Sequence, residues 1–395
     1  MTVQDTLQAV RAHEDEFIAL RRDIHQHPEL PFEELRTSDL VAARLRDWGY
    51  HVERGLGGTG VVGQLKRGDG TRTLGLRADM DALPIQEATG LQYASRNQGV
   101  MHACGHDGHT AMLLAAAKVL AEQGDFSGTL NLIFQPAEEY GTSDCGAVRM
   151  INDGLFDKYP CDAIFSMHNM PGWPQGHLIF REGPMMASSD KVYITLVGHG
   201  GHGAVPHKTA DPVVAAASLV MALQTVVSRN VDPLQTAVVT VGVLQSGRAN
   251  NVIPDSAHLE LSVRALDSEV RSLLQQRITE IAHAQAQSFG VKAEIDYRRG
   301  YAALVNSKDE TDFARQIGTE LVGAERVVPQ APPLTGSEDF AFMLEKRPGC
   351  YLLIGNGDGD KLGACMVHNP GYDFNDANLA IGAAYWALLA RRYLV

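Results

Sequence analysis

Thr129-Leu130-Asn131-Leu132-Ile133-Phe134-Gln135-Pro136-Ala137-Glu138-Glu139 reads as a continuous apolar strand that ends in two adjacent carboxylates. Neighbouring residues on a chain point different ways, so one glutamate can bind a metal while the other faces substrate as a base. The plainer reading is an acid-rich helix start. Two further strands end alike. Ala163-Ile164-Phe165-Ser166-Met167 runs into His168-Asn169-Met170-Pro171, and Thr73–Asp79 runs into Met80-Asp81-Ala82-Leu83-Pro84. Acids at a strand end, spaced two apart, often orient metal ligands. Strands that alternate with helices and leave polar residues at their C-terminal ends describe an α/β sheet with its site along that edge.

Met101-His102-Ala103-Cys104-Gly105-His106-Asp107-Gly108-His109 holds one thiol, three imidazoles and a carboxylate. Sulfur and nitrogen donors packed this tightly suit a transition-metal site, and the glycines let neighbouring side chains converge. Met112, Leu113, Ala116 and Leu120 then recur at helical spacing, so the cluster sits at a helix N-terminus. Upstream, Leu7, Val10, Phe17, Leu20 and Ile24 predict one amphipathic helix over 4–24, ended near Pro28. His25 and His27 stand at that end; a polar helix terminus explains them more simply than ligation does. A second helix over 34–48 has Thr37 or Ser38 as its expected N-cap.

The pattern changes near residue 187. Strands at 191–197, 236–245, 257–264 and 291–298 and helices at 211–228 and 268–289 follow in the order βαββαβ, a complete ferredoxin-like unit. We therefore expect an inserted domain over 187–299 within a first domain made of 1–186 and 300–395. Glycines around His202 suit close approach to a ligand or another chain, whereas His199 and His207 read as local structure. Arg248-Ala249-Asn250-Asn251 offers a cation and amides on a loop. After 300 the α/β pattern returns, with Gly336-Ser337-Glu338-Asp339-Phe340, then Cys365-Met366-Val367-His368-Asn369, and an apolar helix over 376–393.

A chain of 395 residues exceeds the usual span of one core, in keeping with two domains. The formal charge of -13 argues against nucleic acid as partner. The polar start Met1-Thr2-Val3-Gln4-Asp5 lacks the apolar core of a signal peptide, and no apolar run is expected to span a bilayer. Five scattered cysteines at 104, 145, 161, 350 and 365 fit reduced thiols, so a cytoplasmic location is expected.

Together the loop ends bring Cys104, His106, Glu138, Glu139, His168 and His368 to one sheet edge. That set suffices for two metal ions and one carboxylate left over. Two metals can acidify a water and polarise a carbonyl, and a glutamate can pass the water's proton to a leaving amine. This is the chemistry of amide hydrolysis.

The sequence resembles the metal-dependent amidohydrolases that include hippurate hydrolases, N-acyl-amino acid deacylases and indole-acetyl–amino acid hydrolases, within the wider aminoacylase and carboxypeptidase group. The resemblance runs through His25-Gln26-His27-Pro28-Glu29-Leu30, Arg77-Ala78-Asp79-Met80-Asp81, Met101–Asp107, Gln135–Glu139, Gly201-His202, Asn251–Pro254, Gly336–Phe340 and His368-Asn369. It implies a dinuclear-metal exopeptidase-like α/β domain with a mixed sheet, plus a lid and dimerisation insert. It implies Cys104, His106, Glu139, His168 and His368 as ligands, with the thiolate bridging, and Glu138 as general base and acid. His202 would steady the oxyanion, reaching the partner subunit's site in a homodimer or higher oligomer. Arg264 with Asn250 and Asn251 would hold the substrate carboxylate. Where the wider group has His-x-Asp this chain has Asp79-Met80-Asp81, so His106 must replace a missing ligand and Asp81 stands behind the site. Its lid carries Gly201-His202-Gly203 in place of the usual Gly-His-Ala.

The expected reaction is cleavage of N-acyl or N-aroyl amino acids with two divalent ions, zinc, manganese or cobalt. Dipeptidase or carboxypeptidase activity is the nearest alternative. A cysteine hydrolase built on Cys104 and a non-catalytic binder of metal or acyl-amino acid are the rivals from other classes.

Overall fold

The computed structural model describes residues 2–395. The chain divides into two compact units, one of residues 1–183, 305–332 and 339–395, the other of 184–304 and 333–338. The short return of 333–338 to the second unit departs from the expected boundaries. Its cause is backbone pairing: Leu334 donates to the Met185 carbonyl and Ala187 donates to that of Leu334.

The first unit is built on an eight-stranded mixed sheet. Its middle is parallel: Gly128–Gln135, Thr73–Asp79, Ala163–Pro171 and Gly349–Gly357 run side by side in that order. Nearly every residue of these strands is buried, as expected where helices cover both faces. Asp79 lies level with Gln135, and His168 with Leu353, so the polar residues beyond the strands emerge at one edge. His51–Leu56 and Gly60–Arg67 extend the sheet antiparallel on one side. The two-residue strands Leu178–Ile179 and Val327–Val328 finish the other.

Helix His106–Gln123 packs between this sheet and helix Asn378–Tyr393 and is buried on almost every side. That explains its weak amphipathic pattern, because a helix with apolar neighbours all round has no solvent stripe. At its start Gly105 has φ of 93°, and a Cβ there would stand 2.2 Å from Asn169 Nδ2. Only glycine fits both demands. The N-terminal segment forms two helices, Val3–Arg11 and Glu14–Gln26, where one was expected. Thr2 starts the first through a capping box with Asp5. The helix Leu35–Asp47 is preceded by Glu34 and not capped by Thr37 or Ser38, which lie buried inside it.

The second unit is a four-stranded antiparallel sheet in the order Ala237–Ser246, Ser256–Ala265, Asp190–Val197, Lys292–Arg299. Helices Pro212–Asn230 and Ser268–Ser288 cover one face, with Leu219, Leu223, Leu274 and Ile278 in the core beneath them. The order is that of the expected ferredoxin-like unit. Contrary to expectation, Pro212–Asn230 is long and apolar enough by composition to cross a membrane. Ala215, Ala216, Leu219, Leu223 and Val226 on one side of it serve this core, while Val213, Val214 and Met221 are exposed.

Candidate metal centre

Cys104, His106, Glu138, Glu139, His168 and His368 meet at the C-terminal edge of the parallel strands, all within the first unit. Ligand atoms of Cys104, His106 and His168 lie within 4.8 Å of one another, as do those of Cys104, Glu139 and His368. Cys104 belongs to both triads. His106, Glu138 and Glu139 form a third.

Hydrogen bonds behind the ligands set which nitrogen is free. His168 Nδ1 bonds the Asn169 carbonyl, which can only accept, so Nδ1 carries the proton and Nε2 turns its lone pair toward Cys104 Sγ at 3.3 Å. His106 Nδ1 lies 3.2 Å from Asp81 Oδ1, leaving Nε2 buried with no hydrogen-bond partner. The other Asp81 oxygen accepts from Glu139 N at 2.8 Å. Asp81 therefore orients two candidate ligands, one with each oxygen. Glu139 Oε1 is also buried without a hydrogen bond; it lies 3.0 Å from His368 Nε2 but out of line for one.

The donor set fits divalent metal. Two orphaned buried acceptors face each other beside a thiol, where a cation would satisfy all three. Burial, then the charges of Glu139 and Glu138, push the Cys104 thiol well up, so a thiolate here needs a cation beside it. Burial lowers His106, but Asp79, Asp81 and Glu139 outweigh it and raise the ring to about 10. Metal must displace that proton.

Asp79, the residue in place of a histidine, is fully engaged. One oxygen meets His109 Nδ1 at 2.6 Å and the other Arg77 Nη1 at 2.7 Å. His109 Nε2 accepts from Asn169 N, so this imidazole props the site and does not ligate. His25 is buried between Asp107 Oδ2 at 2.9 Å and Glu87 Oε1 at 3.4 Å, and His27 bonds the Asp23 carbonyl.

The expected substrate residues lie in the second unit. His202 is exposed on a two-residue strand paired with Val252, and Gly203 N donates to the Asn251 carbonyl. His202 Nδ1 accepts from Ala204 N at 3.0 Å, so the neutral ring presents Nε2–H outward as a donor. Asn250 and Asn251 share this tip. Arg264 does not: it pairs with Val238 at the other end of strand Ser256–Ala265, where it donates to Ser337 Oγ at 3.2 Å. The expected grouping of Arg264 with the two asparagines is thus not made within one chain.

Residues 75–392 match the family model described as peptidase family M20/M25/M40. The chain belongs to this family. It is 47% identical to the hippurate hydrolase of Campylobacter jejuni over 96% of this chain and 97% of that protein. It is 40% identical to the N-acetyl-L-cysteine deacetylase of Bacillus subtilis, over 94% and 86%. The crystal structure of Bacillus subtilis YxeP, described as a dinuclear metal binding peptidase of the M20 family, superposes with a TM-score of 0.83 at 32% identity. It covers 97% of this chain and 99% of that one. The protein is an amidohydrolase of the M20 family, with the α/β dinuclear-metal fold.

Proposed function

We propose that the protein cleaves N-acyl or N-aroyl amino acids to a carboxylic acid and a free amino acid. The observation that carries this reading is the pair of ligand triads sharing Cys104 beside the buried carboxylate of Glu138. The names of the hippurate and N-acetylcysteine relatives support the substrate class. Cys104, His106, Glu139, His168 and His368 would hold two divalent ions; thiolate, imidazole and carboxylate suit zinc, manganese or cobalt. Bound there, the ions would supply Lewis acidity to a water and to the scissile carbonyl.

Glu138 takes the proton from the attacking water and returns it to the departing amine. Its Oε1 accepts from Asp339 N at 3.4 Å. His202 donates from Nε2 to the oxyanion, and Arg264 pairs with the substrate carboxylate. His202 is on the two-stranded ribbon before Ser256, and Arg264 is near the other end of strand Ser256–Ala265. They are too far apart along the second unit for one chain to bring both to one substrate, so one substrate takes them from two chains. The exposed Val213, Val214 and Met221 on helix Pro212–Asn230, with the edge strand Ala237–Ser246 beside it, support a homodimer through this unit. Four buried free thiols among five support a reducing, cytoplasmic setting.

The test is turnover of N-acetyl, N-benzoyl and indole-acetyl amino acids and of dipeptides, each with and without a chelator. We expect cleavage of one acyl class, loss on chelation and recovery with added divalent metal. Activity that survives chelation but not thiol alkylation would instead place the chemistry on Cys104. Preference for dipeptides would sink the acyl-amino acid reading.

A further inference from the structure

Phe32, Ala137 and His368 are the non-glycine residues with positive φ among the described residues, at 68°, 50° and 64°. Side chains rarely adopt this backbone, and it persists only where neighbours over-determine it. Two of the three are held by one group. Glu34 Oε1 accepts from Phe32 N at 3.0 Å and from Ala137 N at 2.8 Å, and Oε2 accepts from the Thr59 hydroxyl. The carboxylate is completely buried.

Ala137 directly precedes Glu138 and Glu139 in a left-handed turn that ends the strand Gly128–Gln135. On the far side of Glu138, Glu139 N is held by Asp81 at 2.8 Å. The backbone that carries Glu138 is thus anchored on both flanks by buried carboxylates. The form of this turn sets where the side chains of Glu138 and Glu139 are aimed.

We propose that Glu34 is a positioning residue for hydrolysis: it clamps the strained turn at Ala137 and so aims Glu138 at the water and Glu139 at the metal. The inference rests on the reading of Glu138 as the base. A misplacement of about 1 Å in a reacting group can cost on the order of 100-fold in rate. The clamp works by acceptor geometry and not by charge. Burial, then the charge of Asp81, push Glu34 up to about 7, so an uncharged amide is a fair replacement.

The experiment compares Glu34→Gln, which keeps an acceptor oxygen in place, with Glu34→Asp, which keeps the charge but falls one methylene short. We expect Glu34→Gln to hold kcat for N-benzoylglycine within about 3-fold. Glu34→Asp should lower kcat, measured at saturating metal, at least about 30-fold with KM unchanged. In metal-free protein the Ala137 amide should exchange at least about 10-fold faster in Glu34→Asp, while amides of helix Asn378–Tyr393 are unaffected. Parental kcat in Glu34→Asp, or equal losses in both variants, overturns the proposal. If Glu34→Asp does not fold, Thr59→Val decides: a fall of about 5-fold in kcat supports the clamp, and parental kcat overturns it. Glu138→Gln is measured alongside. Should it keep full turnover, the base reading fails, while Ala137 exchange still decides the clamp.

Discussion

His202 and Arg264 lie on different sheets of the second unit. Arg264 pairs with Val238 in the four-stranded sheet, and His202 sits on the two-stranded ribbon it forms with Val252, which joins the chain just before Ser256. Arg264 is eight residue steps from Ser256 along its strand, roughly 26 Å at ~3.3 Å per residue, and His202 lies beyond Ser256 at the sheet's tip. A single acyl-amino acid is far shorter than this.

Subunit mixing therefore has a definite expected yield. Glu138→Gln and His202→Ala should each be inactive alone. When the two are unfolded together and reassembled at random, about a quarter of the sites combine an intact Glu138 with an intact His202 from the other chain. Recovery of about a quarter of parental activity is expected. No recovery, with heterodimers shown to form, would remove His202 from the partner's site.

Glu138→Gln should bind metal as the parent does and lose about 1,000-fold or more in kcat, the scale of a general base. Metal analysis and single-turnover kinetics on N-benzoylglycine separate the two effects. A variant within tenfold of the parent would take the base role away from Glu138.

Asp81→Ala should act on metal affinity first. It frees His106 Nδ1 and Glu139 N together. Loss of such a backing carboxylate weakens binding by about 10–100-fold. Competition with a chromophoric chelator measures it, and unchanged affinity would show that the helix Gly105 introduces already fixes His106.

His25 couples stability to pH. Burial opposes its protonation, but Asp107 and then Glu87 outweigh this and raise the ring from 6.5 to about 9. A pKa raised by folding stabilises fully below 6.5, and that contribution is lost as pH climbs through 9. Melting of the metal-loaded enzyme should thus fall by about 5 °C between pH 6.5 and 9. His25→Asn should start lower and show a flatter slope; a parental slope in that variant would place the titration elsewhere.

The parallel strands and their polar ends were readable in sequence because runs such as Leu130–Phe134 are apolar on both faces and stop at Gln135. Glu138, Glu139 and His168 could be read as candidates because each lies just past such a run, whereas Cys104, His106 and His368 lie well beyond the strands that precede them. The distance between Arg264 and Asn251 was not legible because nearness in sequence carries no register, and register sets the two apart within one chain. Glu34 was overlooked because Pro31-Phe32-Glu33-Glu34 looks like any acidic helix start; only Ala137, 103 residues away, shows what the carboxylate does. The break after Arg11 and the two-residue edge strands left no periodic signal at all.

The order of ligands along the chain has a consequence for biosynthesis. Cys104, His106, Glu139 and His168 all precede residues 184–304, and His368 follows them. At about 5–20 residues per second, the 200 residues from Asn169 to His368 take the ribosome about 10–40 s to add. For that interval the nascent chain carries four donors without the fifth. The candidate centre is complete only once the loop beyond the last strand, Gly349–Gly357, has been added.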